Sequence, residues 1–324
     1  MTEQLKLKLN DSKATRWGAL VIVAFTMMAA YYVNDVVAPL KTMLETDLAW
    51  SSTDFGFFTG GYSFLNVFFL MLIWGGLILD RFGIRFTGKL ATILMVGGTA
   101  LEYYAMTGLA GADATLFGIN EIFGYKTGVF VAFAGYSIFG VGAEVAGITV
   151  SKIIAKWFKG KELATAMGVQ VALARIGSQA GYAVAIPLAR AFGISTPVLL
   201  GLVLLLGGMI AFFVFAVMDK KLDKQMEAAA IAAGTEDEEE KFSFKDVKNI
   251  LVNPGFWLIA LLCVLFYSCV FPFQKFASEL MIIKYGINEN VAGTFAGLPA
   301  LGALILTPVF GCLLYTSDAA DDLI

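Results

Sequence analysis

Two ionisable side chains stand where charge is expensive. Glu144 falls in the apolar run Thr127–Ser151 and Arg175 in the next one, Leu163–Ala189. Counting about 1.5 Å per residue from the flanking polar segments puts Arg175 near mid-bilayer and Glu144 somewhat nearer the cytoplasmic face. A carboxylate holds a cationic group, and a planar guanidinium holds a carboxylate through two parallel bonds. On neighbouring helices the two could meet in one cavity, bonding to each other as a salt bridge or to a solute of matching polarity. Helical spacing adds company to both. Arg175, Ser178, Gln179 and Tyr182 recur at i, i+3, i+4 and i+7, and Tyr136, Gly140 and Glu144 at i, i+4 and i+8, so each set shares a face. Tyr31, Asn34 and Asp35 form a smaller polar face in the first run, where Asp35 reads equally well as a solvated helix-end carboxylate. Tyr62 and Asn66 share a face of the second run, fit either to bond a solute or to bind helices together. Glu102, deep in the third run, is either a proton carrier or a carboxyl buried against a neighbour, and the second reading is preferred. Lys275 and Glu279, four apart, read as a surface pair.

The rest of the composition narrows what those residues can be doing. The chain has 324 residues, 58% hydrophobic and 15% charged, where soluble domains run near ~25% charged. That excludes soluble, disordered and collagen-like classes and leaves a membrane protein. A net charge of −3 gives no basic footprint for nucleic acid. The absence of histidine removes imidazole metal sites and Ser-His-Asp triads, so proton chemistry falls to carboxylates. Cys263, Cys269 and Cys312 form no CxxC pair, so neither a disulfide framework nor a metal knuckle follows. Neither a nucleophile with a base nor a GxGD aspartyl pair is present, which argues against an intramembrane enzyme. A receptor or scaffold would have no use for a buried Glu and Arg. No cofactor or metal is expected.

Eight runs reach the ~20 apolar residues that a spanning helix needs: 17–40, 55–79, 88–108, 127–151, 163–189, 196–218, 256–281 and 291–314. Lys and Arg number 17 in one set of alternating loops and 5 in the other, with Arg175 the one cation assigned to a span. By the positive-inside rule both ends of this eight-span chain are cytoplasmic. The loop 219–254 contains five consecutive acidic residues, Glu236 to Glu240, and reads as a hydrated tether. The expected organisation is therefore a six-helix bundle over 1–218, an acidic linker over 219–254 and two further helices over 255–311. Six spans, a charged loop and further spans is the layout of a transporter made of two six-helix halves.

Between the second and third runs lies Gly76-Leu77-Ile78-Leu79-Asp80-Arg81-Phe82-Gly83-Ile84-Arg85. This GxxxDRxGxR pattern resembles the signature loop of the major facilitator superfamily, with Gly76 and Gly83 expected to let the backbone pass between helices and Asp80, Arg81 and Arg85 to hold a cytoplasmic gate. In that superfamily the aspartate contacts the eleventh helix. Further segments sharpen the resemblance: Tyr62-Ser63 with Asn66, Trp157 to Leu163, Ala174-Arg175-Ile176-Gly177-Ser178, Phe271-Pro272-Phe273 and Pro308 to Gly311. They are similar to the branch of lysosomal dipeptide transporters and their bacterial relatives, over residues 31–311.

The resemblance implies an all-α major facilitator fold with substrate bound between the halves and the halves rocking in alternation. It assigns Glu144 to the ammonium of a dipeptide and Arg175 to its carboxylate, with Tyr31, Asp35, Asn66, Gln179 and Tyr182 around them. Organic anions or other metabolites remain as alternative cargo, by proton symport or facilitated diffusion. The expected partners are a small solute and the lipid bilayer, with any accessory membrane subunit left unidentified. The expected setting is a bacterial inner membrane, or a lysosomal one in a eukaryote. The closing residues Cys312 to Asp321 resemble a translated sequencing adapter, so native sequence is expected to stop near Gly311, with 312–324 foreign and four spans of the second half lacking. Gly177-x-x-x-Gly181 and the glycines from Gly135 to Gly147 are expected to allow close helix packing, and Pro272 a hinge.

Overall fold

A computed structural model describes residues 8–110, 115–233, 251–307 and 309; the closing segment 312–324 and the acidic run of the central loop lie outside them. The described chain is nearly all helix. Ser12 caps α1 (Lys13–Val36), its hydroxyl accepting from the Thr15 amide. Pro39 opens a single 3-10 turn, Ala38–Leu40, that hands the chain to a short α2 (Lys41–Asp47). A reciprocal Ser51/Asp54 capping box starts α3 (Ser52–Phe68), satisfying two otherwise orphaned amides. Next come α4 (Met71–Thr107), a two-residue hairpin of β1 (Glu121–Ile122) and β2 (Tyr125–Lys126), α5 (Thr127–Trp157), α6 (Leu163–Phe192) and α7 (Thr196–Ala233). Beyond the central loop, α8 runs Pro254–Tyr285 and α9 Glu289–Ala296, with helix resuming past Gly297.

Among the described residues, five helical segments are long and apolar enough to cross a membrane, the last being Glu289–Thr307, and α3 with α4 makes a sixth as one bent pair. The expected second and third runs are not two helices with a loop between. Helix α3 stops inside the second run, where Leu70 takes a left-handed backbone (φ 51°) and the path bends by 58°. Helix α4 then continues through the signature segment to the end of the third run. Its one interruption is Gly83, at φ 74° and ψ 172°, a conformation open to glycine because no Cβ collides. The 30-residue α6 is not among the strongly apolar helices, as its stripe of Arg175, Ser178 and Gln179 dilutes it.

Small residues set the helix spacing. At the α4–α5 contact a Cβ on Gly135 would stand 2.6 Å from the Gly98 carbonyl oxygen, and a Cβ on Gly177 of α6 would strike the Met28 carbonyl of α1. The expected glycine-mediated packing is thus in place along α5 and α6. The core between helices α1, α3, α5 and α7 is aromatic, with Phe55, Phe58, Tyr136, Phe139, Trp157, Phe212 and Phe215 all buried. Polar closures lie at helix ends. Arg16 bonds Glu162 at 2.8 Å and Lys161 bonds Asp11 at 2.9 Å, which ties the start of α1 to the α5–α6 turn. Both carboxyls are held below their ordinary range, Asp11 mainly by its Lys161 bond and Glu162 mainly by Arg16.

Candidate functional site

A cavity of about 500 Å³ opens between α1, α3, α5 and α8. The charged residues among its lining are Glu144 from α5 and Lys275 from α8. Tyr31 and Asn34 of α1, Tyr62 of α3 and Phe271 of α8 complete the ring that matters. Glu144 reaches the lumen because the glycines and alanines around it, Gly140, Ala143 and Gly147, leave α5 thin at that level, and the Tyr62 hydroxyl donates to it at 2.7 Å.

Lys275 is the residue the sequence reading underrated. It does not pair with Glu279, and it does not lie on a surface. Its side chain is 13% exposed and its ammonium donates to the Asn34 carbonyl at 2.5 Å and to the Tyr136 hydroxyl at 3.1 Å. That hydroxyl donates in turn to Asn34, whose side-chain amide donates to Asp35 at 2.8 Å, and Asp35 lies 3.8 Å from the lysine. Asp35 is therefore a buried partner of Lys275 and not a solvated helix end. Glu279, for its part, bonds Lys41 of α2. The signal was available, since Lys275 is a lone cation following Pro272 within an otherwise apolar run, which at membrane depth marks a functional position. Assigning it to an outer loop hid it.

Arg175 makes no ion pair with Glu144. Its guanidinium lies 5.2 Å from the Tyr31 ring centroid, behind a residue that lines the cavity, and its Nε is buried with no partner among the described residues. Two further atoms of the same stripe, Ser178 Oγ and Gln179 Oε1, are likewise buried and unpartnered. Gln179 and Tyr182 face the helices that follow the central loop: Gln179 abuts Gly297, and the Tyr182 hydroxyl donates to the Gln274 carbonyl at 3.2 Å. They stand at the seam between the helices before and after the central loop, outside the cavity lining. Asn66 turns back on its own helix, donating to the Tyr62 carbonyl at 2.9 Å, and is also off the cavity wall. Glu102 is fully buried with both oxygens unpartnered among the described residues, as the preferred reading had it, against α5.

In the signature segment Asp80 accepts from Lys152 of α5 at 2.8 Å, and Arg81 stacks beside Phe82 at 5.6 Å. Arg85 bonds Asp223 at 2.5 Å and approaches Asp219 at 3.5 Å, both on α7, and Lys156 bonds the same two acids. The expected close backbone passage is not seen at Gly76 or Gly83, where a Cβ would meet nothing within 4 Å; Gly83 is used for its backbone angle. Among the described residues no group of Cys, Asp and Glu is clustered to hold a metal ion.

The profile of the Major Facilitator Superfamily matches residues 20–316. The chain belongs to that superfamily. It is an integral, multi-pass membrane protein with the all-α fold of this superfamily of transporters, which are not enzymes as a class. Relatives named lysosomal dipeptide transporter MFSD1 match at 27% identity from Homo sapiens, over 93% of this chain and 61% of theirs. The Danio rerio protein of that name matches at 26% over 91% and 60%, and the Gallus gallus one at 31% over 55% and 41%. The chain spans about three-fifths of the length of the relatives it matches most fully.

Proposed function

We propose that this chain forms the substrate-gripping part of an alternating-access transporter whose cargo is a small zwitterion of the dipeptide class. The observation that carries the reading is a carboxylate and an ammonium, Glu144 and Lys275, lining one cavity from two different helices. Glu144 and Lys275 line it, with the carboxylate of Asp35 beside Lys275 and the guanidinium of Arg175 behind Tyr31. That balance suits a solute with one charge of each sign and favours it over an organic anion, whose single sign would leave the carboxylates opposed to it. In this reading Glu144 takes the cargo's ammonium, Lys275 its carboxylate, and Arg175 serves as a second carboxylate anchor behind Tyr31, with Asp35 holding Lys275 when the cavity is empty. Asn66, Gln179 and Tyr182 support helix contacts around the site. The names of the MFSD1 relatives favour dipeptides within the zwitterion class, and the cation-rich loops favour a cytoplasmic N-terminus.

Binding of a labelled dipeptide to the purified protein, read by thermal shift and scintillation proximity, tests this. Removal of a charge-assisted bond costs about 1.5–3 kcal/mol, so Glu144→Gln and Lys275→Met should each weaken binding roughly ten- to hundredfold. Glu144→Gln should spare binding of a peptide whose amine is acetylated. A Glu144→Gln protein that bound unmodified dipeptide as tightly as the unaltered one would end the proposal.

A further inference from the structure

Outside the central cavity, a second groove of about 430 Å³ lies at the cytoplasmic end of the α4–α7 contact, lined by Arg85 and Lys89 of α4 and by Ala216, Val217 and Lys220 of α7. Lys220 stands just past Met218, where the sixth apolar run ends, and Arg85 and Lys89 follow the kink at Gly83, so the three cations sit at one level. The carboxylates that face them are Asp219 and Asp223. Asp219 is 1% exposed and is taken up by Lys156, by the Trp157 indole N–H at 3.0 Å and by Arg85, while Asp223 bonds Arg85 and Lys156. Four cations therefore face two acids. Arg85 and Lys156 are matched, whereas Lys89 and Lys220 have no carboxylate partner among the described residues. Lys89 rests instead over the Phe213 ring, 5.3 Å from its centroid.

Around the groove, apolar side chains of both helices are left open. Phe86 and Ile93 on α4 and Ile210, Phe213 and Val217 on α7 remain exposed, and their three- and four-residue spacings from Lys89 and from each other put them on the faces that flank the groove. Two unmatched ammonium groups above an open apolar strip suit a ligand with an anionic head and hydrocarbon tails. We propose that this groove binds the headgroup phosphate of an anionic phospholipid of the cytoplasmic leaflet, with the acyl chains along Phe213 and Ile93. Loop lysines that acted on topology alone would not need to converge with Arg85 on one groove.

Native mass spectrometry of the purified protein in detergent, titrated with phosphatidylglycerol, phosphatidylcholine or inorganic phosphate, tests the assignment. Phosphatidylglycerol is expected to bind at least about tenfold more tightly than phosphatidylcholine, and Lys89→Gln with Lys220→Gln to weaken it by roughly thirtyfold. Lys89→Arg with Lys220→Arg should retain it. Equal binding of the two lipids, full retention by the glutamine pair, or displacement of the lipid by millimolar inorganic phosphate would each overturn the proposal. Should the glutamine pair fail to fold, salt dependence of the unaltered protein decides: an affinity for phosphatidylglycerol that does not fall between about 0.05 and 0.5 M salt also overturns it.

Discussion

Glu144 and Glu102 are both carboxyls at membrane depth on adjoining helices, yet their surroundings differ. Glu144 meets a tyrosine hydroxyl and an open cavity. Glu102 meets neither, with both oxygens buried and unpartnered among the described residues. A buried polar group without a bond is a cost, and an apolar group of the same shape removes it. Glu102→Met is therefore expected to leave the thermal midpoint unchanged or raise it, with dipeptide binding intact. A fall of several degrees in a thermal unfolding assay would reveal a partner for that carboxyl. For Arg175 the expectation differs from that for Lys275. Its Nε is idle and its guanidinium faces a ring, so Arg175→Ala should weaken binding of a dipeptide without unfolding the protein. Lys275→Met should also lower stability, because it strips a donor from Asn34 and Tyr136. Comparison of the thermal midpoints of the two variants checks the distinction.

At the scale of elements, close approach and end-to-end charge pairs hold the helices. The Gly98–Gly135 contact leaves no room for a Cβ between α4 and α5. Overpacking a tight site costs about 1–3 kcal/mol, so Gly98→Val should lower the thermal midpoint while Gly97→Val, whose added atoms meet open space, should not. The pairs Lys161–Asp11 and Arg16–Glu162 fasten α1 to the α5–α6 turn. Both acids titrate below their ordinary values of 3.8 and 4.5. A carboxyl depressed on folding stabilises above its unfolded pKa and loses that contribution as pH falls through the folded one. Stability should then be flat across neutral pH on this account and decline below about pH 4.5, and Glu162→Gln should soften the decline. Thermal midpoints measured from pH 7 to pH 3 would show it, and an unchanged profile in the variant would remove Glu162 from the account.

For the whole molecule, the decisive contacts run between helices that precede the central loop and those that follow it. Lys41, 3% exposed, is held by Glu45 and Ser52 near it in sequence and by Glu279 from α8. Arg190 of α6 bonds Glu289 and Asn290 of α9. Removing the cation leaves Glu279 and Glu45 facing each other, whereas removing Glu279 leaves Lys41 with Glu45. Lys41→Met should therefore cost on the order of 3 kcal/mol and Glu279→Gln less. A double-mutant cycle on thermal unfolding should return a coupling of about 0.5–3 kcal/mol, and a coupling near zero would remove this contact from the link between the helices on either side of the central loop.

Membrane class, helical content, the signature segment and the presence of charged side chains at Glu144 and Arg175 within apolar runs were all legible in the linear chain, because hydropathy, helical period and the cost of a charge in lipid are properties of short stretches. Three features were not. The break at Leu70 depends on how α3 and the start of α4 pack, since leucine is no helix breaker by type. The partners of Lys275 come from α1 and α5, more than a hundred residues away, and no spacing rule reaches that far. Whether Arg175 or Lys275 shares a cavity with Glu144 is set by the rotation of α6 and α8 about their axes. That rotation is fixed by interlocking small and large side chains across helix contacts, and only the assembled bundle contains it.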